Sequence, residues 1–370
     1  MSDPRGVSPA LDLAGRIVAH DLTGCRPGPL PAEPLGSAAW RDLLVVVRRQ
    51  RVEGPLAFAI EAGRCAATDE QREEAFAAHR AVMALDLLLE RELVELTGPF
   101  AAAGVPMRVL KGPASAHLDE LDPAWRAFGD LDLLVRASDL ATVEELLTAR
   151  GGRRRYGEPA PGFDRRFSKG LSFTFERNCE IDVHRTLASG AFGLTIDLDA
   201  LFDRTTTFRL GRTELVALDR TGRCLHACYH AVLGGPEPRL NALRDLVHTA
   251  PADRTDLDEL LARARAWRAE AVVALAVDTG CRHLGWTPPA GLHAWARGHR
   301  PTRRERWWLA AYVGPDRSYA AQMLVGLDAV PGLRDKVAYA WANASPAPGP
   351  GVVPGRWRRG ARSLAKSLRR

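Results

Sequence analysis

The hydrophobic period of this chain changes twice along its length, and that change limits the fold more than any other feature. From Ser37 to about Thr97 the apolar residues recur every three or four positions: Trp40, Leu43, Leu44 and Val47, then Ala75, Ala78, Val82, Leu85, Leu88 and Leu89. Such spacing lays an apolar stripe along helices, and Gly98-Pro99 is expected to end the longer one. Between residues 99 and 218 the period shortens. Met107–Leu110 and Leu131–Val135 read as strands, and Asp139–Ala149 as a helix stopped by Gly151-Gly152. Leu171–Phe175 and Cys179–Val183 read as two strands joined by the turn Glu176-Arg177-Asn178, and Phe202–Leu218 as further short strands at the edge. From Asp219 the helical spacing returns, through Leu225, Tyr229, Val232, Leu243, Leu246, Leu260 and Leu275.

The expected fold is therefore α+β: a small mixed sheet over 99–218, a helical unit before it (37–98) and another after it (219–344). Residues 1–36, with Pro27, Gly28, Pro29, Pro31 and Pro34, are expected to form a loosely ordered lead-in. Residues 345–370 read as a flexible linker and a basic tail. A chain of 370 residues is long enough for two or three packed units.

Charge narrows the partners. The net charge is +6, but the tail from Arg356 to Arg370 carries seven basic residues and no acid, so the body without it is at −1. A body that near neutrality argues against nucleic acid as the partner of the core. Only four of the 51 basic residues are lysines, which reads as a compositional bias. The six scattered cysteines do not resemble a disulfide framework. No stretch has the roughly 20 apolar residues of a transmembrane segment. The start of the chain lacks the pattern of a signal peptide, so the expected location is cytoplasmic. The oligomeric state is not legible.

The chemistry concentrates in Gly129-Asp130-Leu131-Asp132-Leu133-Leu134-Val135. Residues two apart on a strand share a face, so Asp130 and Asp132 are expected side by side, with Leu131 and Leu133 in the core. Like charges that close are costly unless a cation offsets them, and hard carboxylate oxygens suit Mg²⁺ or Mn²⁺. Asp-x-Asp also occurs at solvated strand edges. A third carboxylate comes from Glu180-Ile181-Asp182-Val183-His184, where Asp182 lies mid-strand between two apolar residues. Upstream, Leu110-Lys111-Gly112-Pro113-Ala114-Ser115 reads as a strand, a glycine turn and a helix start. Free backbone N–H groups at such a turn favour phosphate, with Lys111 and Ser115 in reach.

Leu110-Lys111-Gly112, Arg126, Gly129–Val135 and Ile181–Arg185 together resemble a bacterial nucleotidyltransferase family, an uncharacterised branch of the polymerase-beta-like superfamily whose members often accompany peptide natural-product or polysaccharide gene sets. The resemblance spans about Trp40 to about Leu284. It implies a nucleotidyltransferase core in which Asp130, Asp132 and Asp182 are the catalytic and metal-binding acids, and Gly112 is the turn glycine. Pro113 departs from the Gly or Ser usual at that place, and the gap to Asp130 is long. The implied reaction moves a nucleoside monophosphate from a nucleoside triphosphate, ATP among them, to the hydroxyl of an unidentified small-molecule or peptide acceptor with Mg²⁺ or Mn²⁺. Lys111, Gly112, Ser115 and Arg126 then serve the nucleotide, and His184 bonds Asp182 or the acceptor. The alternative is a catalytically inactive binding or antitoxin-like partner on the same fold.

Two further features invite weighing. In Cys224-Leu225-His226-Ala227-Cys228-Tyr229-His230 the cysteines share one helix face and the histidines the other, which opposes a four-ligand zinc site and favours core thiols with His230 packed between helices. Arg244 and Asp245, which resemble a family motif, read either as facing the nucleotide or as an ion pair.

Overall fold

The computed structural model describes residues 8–176, 179–235, 237–314 and 317–344. The linker and basic tail expected over 345–370, and residues 177 and 178 of the expected strand turn, lie outside the described residues.

The lead-in holds a helix, contrary to expectation. Pro9–Ala19 forms α1, with the Ser8 side chain accepting from the Leu11 N–H at its start. Leu11, Leu13, Ala14, Ile17 and Val18 are buried along one face. The proline- and glycine-rich stretch that suggests looseness begins only after this helix, whose own residues carry helical spacing in Leu11, Ala14, Ile17 and Val18. Helices α2 (Ser37–Gln50) and α3 (Glu53–Glu61) follow. Then comes α4 (Asp69–Ala102), opened by a reciprocal capping box between Thr68 and Gln71. Gly98-Pro99 does not end α4. Proline removes one N–H and cannot stop the turn after it. That last turn closes through Ala103 N–H to the Pro99 carbonyl, and its Phe100 is buried in the core.

The sheet is built from β1 (Arg108–Val109), β2 (Leu131–Leu134), β3 (Arg153–Arg154), β4 (Gly170–Thr174), β5 (Glu180–His184), β6 (Thr205–Leu210) and β7 (Thr213–Leu218). Their spatial order is β3-β4-β5-β2-β1-β7-β6. The β6–β7 hairpin forms one edge, as its sequence suggested, and β3 was not anticipated. Strand β2 lies at the centre, antiparallel to β1 and parallel to β5. Being central, it is buried at all four positions.

The two faces of this sheet differ. Leu131, Leu133, Leu171, Phe173, Ile181 and Val183 form a core with Leu89, Leu93 and Phe100 of α4 and with Leu140, Val143 and Leu147 of α6 (Leu140–Ala149). Each fully buried aliphatic of this set contributes about 1.5–3 kcal/mol relative to exposure. Alternation then drives Asp132, Asp182 and His184 to the opposite face.

Over that face lies the helical body. After β1 comes α5 (Pro113–Asp119), and the short helices α7 (Phe163–Arg166), α8 (Gly190–Leu194) and α9 (Ala200–Asp203) lie between strands. The chain beyond the sheet forms α10 (Arg220–Leu233), α11 (Leu240–Thr249), α12 (Arg254–Ala266), α13 (Glu270–Leu284), α14 (Ala290–Gly298), α15 (Arg303–Tyr312), α16 (Tyr319–Ala329) and α17 (Leu333–Ala344). Residues of α1, α2, α3 and α10–α13 belong to one hydrophobic cluster. The helices before and after the sheet thus share a core, and α2 is held beside the sheet by segments from the other half of the chain. No helix of the described residues is long and apolar enough to cross a membrane.

Candidate active site

Asp132 and Asp182 are direct partners across the parallel pair β2–β5, and Leu134 pairs with His184 two residues on. One ligand atom each from Asp132, Asp182 and His184 lie within 4.8 Å of one another. His184 Nε2 is 2.8 Å from Asp132 Oδ1, so His184 bonds Asp132 and not Asp182 as expected. Its Nδ1 is buried with no hydrogen-bond partner among the described residues. Two carboxylates and an imidazole fit a divalent cation that takes both oxygen and nitrogen, and the nitrogen shifts the preference from Mg²⁺ toward Mn²⁺.

Asp130 stands apart from that trio. It precedes β2, and its two oxygens meet Arg51 Nη1 at 3.1 Å and Lys111 Nζ at 3.6 Å. Lys111 also contacts Asp132 and so bridges both aspartates. Burial opposes charge on Asp132, but Lys111, His184 and Lys169 around it hold the carboxyl well below the usual range. Burial likewise opposes charge on Lys111, and Asp132 and Asp130 more than offset this, so its ammonium is stabilised. His184 is pushed below its ordinary value by burial and by the nearby Lys169.

Lys169, just before β4, was not anticipated. It lies within the electrostatic reach of Asp132, Asp182, Asp130 and Lys111, and burial pushes its ammonium down. A signal was available. In a chain where arginine has almost displaced lysine, two of the four lysines, Lys111 and Lys169, stand at the acidic cluster. An ammonium is a compact charge, and a guanidinium does not fit the same space.

Helix α10 supplies two more site residues. Cys224 and Cys228 are buried in the helical core. His226 and His230, on the other face, line a small cavity with Lys111 and Ser115. His230, expected to pack between helices, also borders the cleft beside Asp130. Burial pushes both imidazoles well below their ordinary value.

The glycine turn departs from a phosphate cradle. Gly112 has φ 61°, which only glycine adopts freely, and leads into Pro113, which has no N–H to offer. Ser115 is buried on α5. Arg126 is also buried, and its donors are committed: Nε and Nη2 reach Asp245 at 2.7 Å each, and Nη1 reaches the Ala127 carbonyl at 2.6 Å. Arg244 and Asp245 do not pair with each other. Arg244 binds Asp21, Glu120 and the Val18 carbonyl.

This geometry can be set beside known proteins. A family model described as "uncharacterised nucleotidyltransferase" matches residues 36–281. The chain belongs to this nucleotidyltransferase family. The matched span begins just before α2 and ends within α13, so it takes in the whole sheet and the core helices α2, α3 and α10–α12, but not α1. No curated protein matches this nucleotidyltransferase. A solved structure it is similar to is an antigenic nucleotidyltransferase-like protein from Paracoccidioides brasiliensis, 14% identical, with a TM-score of 0.32 over 56% of this chain and 96% of that one.

Proposed function

We propose that this nucleotidyltransferase moves a nucleoside monophosphate from a nucleoside triphosphate to a hydroxyl-bearing acceptor, with Asp132, Asp182 and His184 holding a divalent cation. The observation that carries the reading is the in-register pairing of Asp132 with Asp182 on neighbouring strands, which sets two carboxylates on one face beside an imidazole. A cation bound there supplies charge neutralisation for the triphosphate and acidifies an acceptor hydroxyl.

The protein's own groups do the rest. Asp130, at the mouth of the site, keeps Arg51 and Lys111 aimed at the space where phosphates would lie. Lys111 exchanges its aspartate contacts for phosphate oxygens and stabilises the departing pyrophosphate. His184 Nε2, 2.8 Å from Asp132 Oδ1, keeps the imidazole beside that carboxylate, and this contact would give way to the cation when both bind it. Gly112 lets the backbone approach the substrate closely. The acceptor is a small molecule, a sugar or a peptide, and biosynthesis of a peptide natural product or polysaccharide is the setting the family resemblance suggests.

The test is to incubate the protein with each nucleoside triphosphate, Mg²⁺ or Mn²⁺ and an acceptor panel, and to follow pyrophosphate release and product mass. Asp132→Asn/Asp182→Asn should release none. A double variant as active as the wild type would refute the mechanism.

A further inference from the structure

We propose that Arg51 and Arg239, with Asn241, hold the terminal phosphates of the nucleoside triphosphate, in place of the backbone donors that the glycine turn lacks. The assignment rests on the nucleotidyltransferase reading above and names its phosphate subsite.

Four observations bear on one cleft of about 140 Å³ that opens beside Asp130 and Lys111. First, α5 is only seven residues long and starts with Pro113, so its backbone offers a poor anion site. Charge for a triphosphate must then come from side chains.

Second, Arg51 ends α2 in the left-handed region, with φ 54° and ψ 55°. That position is commonly glycine, because a side chain there is strained. Nothing about the helix end itself requires arginine. Its side chain reaches Asp130 with Nη1 and lies against Gly129, where a Cβ would sit 2.6 Å from the guanidinium. The side chain is 44% exposed, which leaves donors for a ligand in the cleft.

Third, Arg239 borders the same cleft and makes no side-chain hydrogen bond or ion pair among the described residues. The other arginines there are compensated: Arg126 by Asp245, and Arg49 by Glu237 at 2.5 Å. A half-buried, uncompensated guanidinium facing a cleft suits an anion, and its planar fork matches phosphate oxygens.

Fourth, Asn241 lines the cleft at 6% exposure. Its amide Nδ2–H is a donor that phosphate oxygens can accept, whereas its Oδ1, buried without a partner among the described residues, calls for a donor such as water and takes no part in holding phosphate. The phosphate subsite is therefore assembled from α2 and from the start of α11, on either side of the sheet in sequence.

Arg51→Gly is the informative variant, since glycine accepts the left-handed backbone and the fold is preserved. Arg239→Gln is its companion. Binding of inorganic tripolyphosphate and of ATP, each with Mn²⁺, would be measured by calorimetry, and KM and kcat for triphosphate by pyrophosphate release. Each variant should weaken tripolyphosphate and ATP by about tenfold or more and raise KM in proportion, as expected for loss of a charge-assisted contact, while the melting temperature holds. Variants that keep the wild-type tripolyphosphate affinity and KM overturn this assignment and leave the carboxylate site standing. A wild-type protein that binds neither ATP nor tripolyphosphate overturns both.

Discussion

Asp132 of β2 and Asp182 of β5 occupy the same rung of a parallel strand pair, although 50 residues separate them in the chain. Asp182 is half-buried and Asp132 is buried against Lys111 and His184. Asp182→Asn should therefore lower turnover by about a hundredfold or more through lost charge stabilisation, with little change in melting temperature. Asp132→Asn should lose activity and stability together, because it leaves the Lys111 ammonium under-compensated. Steady-state pyrophosphate release beside thermal melts would check the contrast. Equal stability losses would contradict it.

The Arg126–Asp245 pair ties the segment before β2 to α11 through two 2.7 Å bonds at almost no exposure. Removing one partner strands the other charge in the interior. Arg126→Ala and Asp245→Ala should each cost about 3–5 kcal/mol in urea unfolding. The double variant should cost less than their sum, and strict additivity would show that the two do not interact.

Arg244 joins α1 to the end of α5 by binding Asp21, Glu120 and the Val18 carbonyl at once. Burial works against ionisation of Glu120, but His248 and Arg244 outweigh it and hold the carboxyl at about 2. A depressed acid contributes stability that is present above its unfolded value of 4.5 and is lost as pH falls toward 2. Arg244→Ala should release α1, seen as faster amide exchange over residues 9–19, and should flatten the loss of stability between pH 4.5 and 2.

Asp86 on α4 has the opposite sign. Burial pushes its carboxyl up to about 8, against the Phe128 N–H it accepts at 3.1 Å and against Arg126 and Arg51. The folded protein then holds a proton that the unfolded chain has released, so this group lowers stability as pH rises from about 3.8 to about 8. Asp86→Asn keeps an acceptor for Phe128 and removes that slope. Melting temperatures at pH 5 and pH 8 should lie closer together in the variant than in the wild type, and an unchanged gap would count against the shift.

Local pattern made much of the molecule legible. The strands around Asp132 and Asp182, the helix 140–149 and the β6–β7 hairpin follow from period-two and period-3.6 spacing, which is a property of neighbouring residues. The same alternation sends Leu131 and Leu133 one way and Asp132 the other. Lys111, which follows the first strand, was readable as a neighbour of the acidic strand, and it contacts Asp130 and Asp132.

What the tertiary structure decided is which side chains from distant segments meet. Spacing could not tell that Arg126 would be taken up by Asp245, that Asp130 would be held by Arg51, or that His184 would replace it beside Asp132 and Asp182. Nor could it place His226, His230 and Lys169 near the cluster, or bring α1 and α2 into the core of helices that begin at Arg220, far along the chain. The physical reason is that local periodicity fixes the direction of each side chain relative to its own element, whereas charge pairing and burial depend on how elements pack. Packing is set by the summed apolar surface of the whole chain.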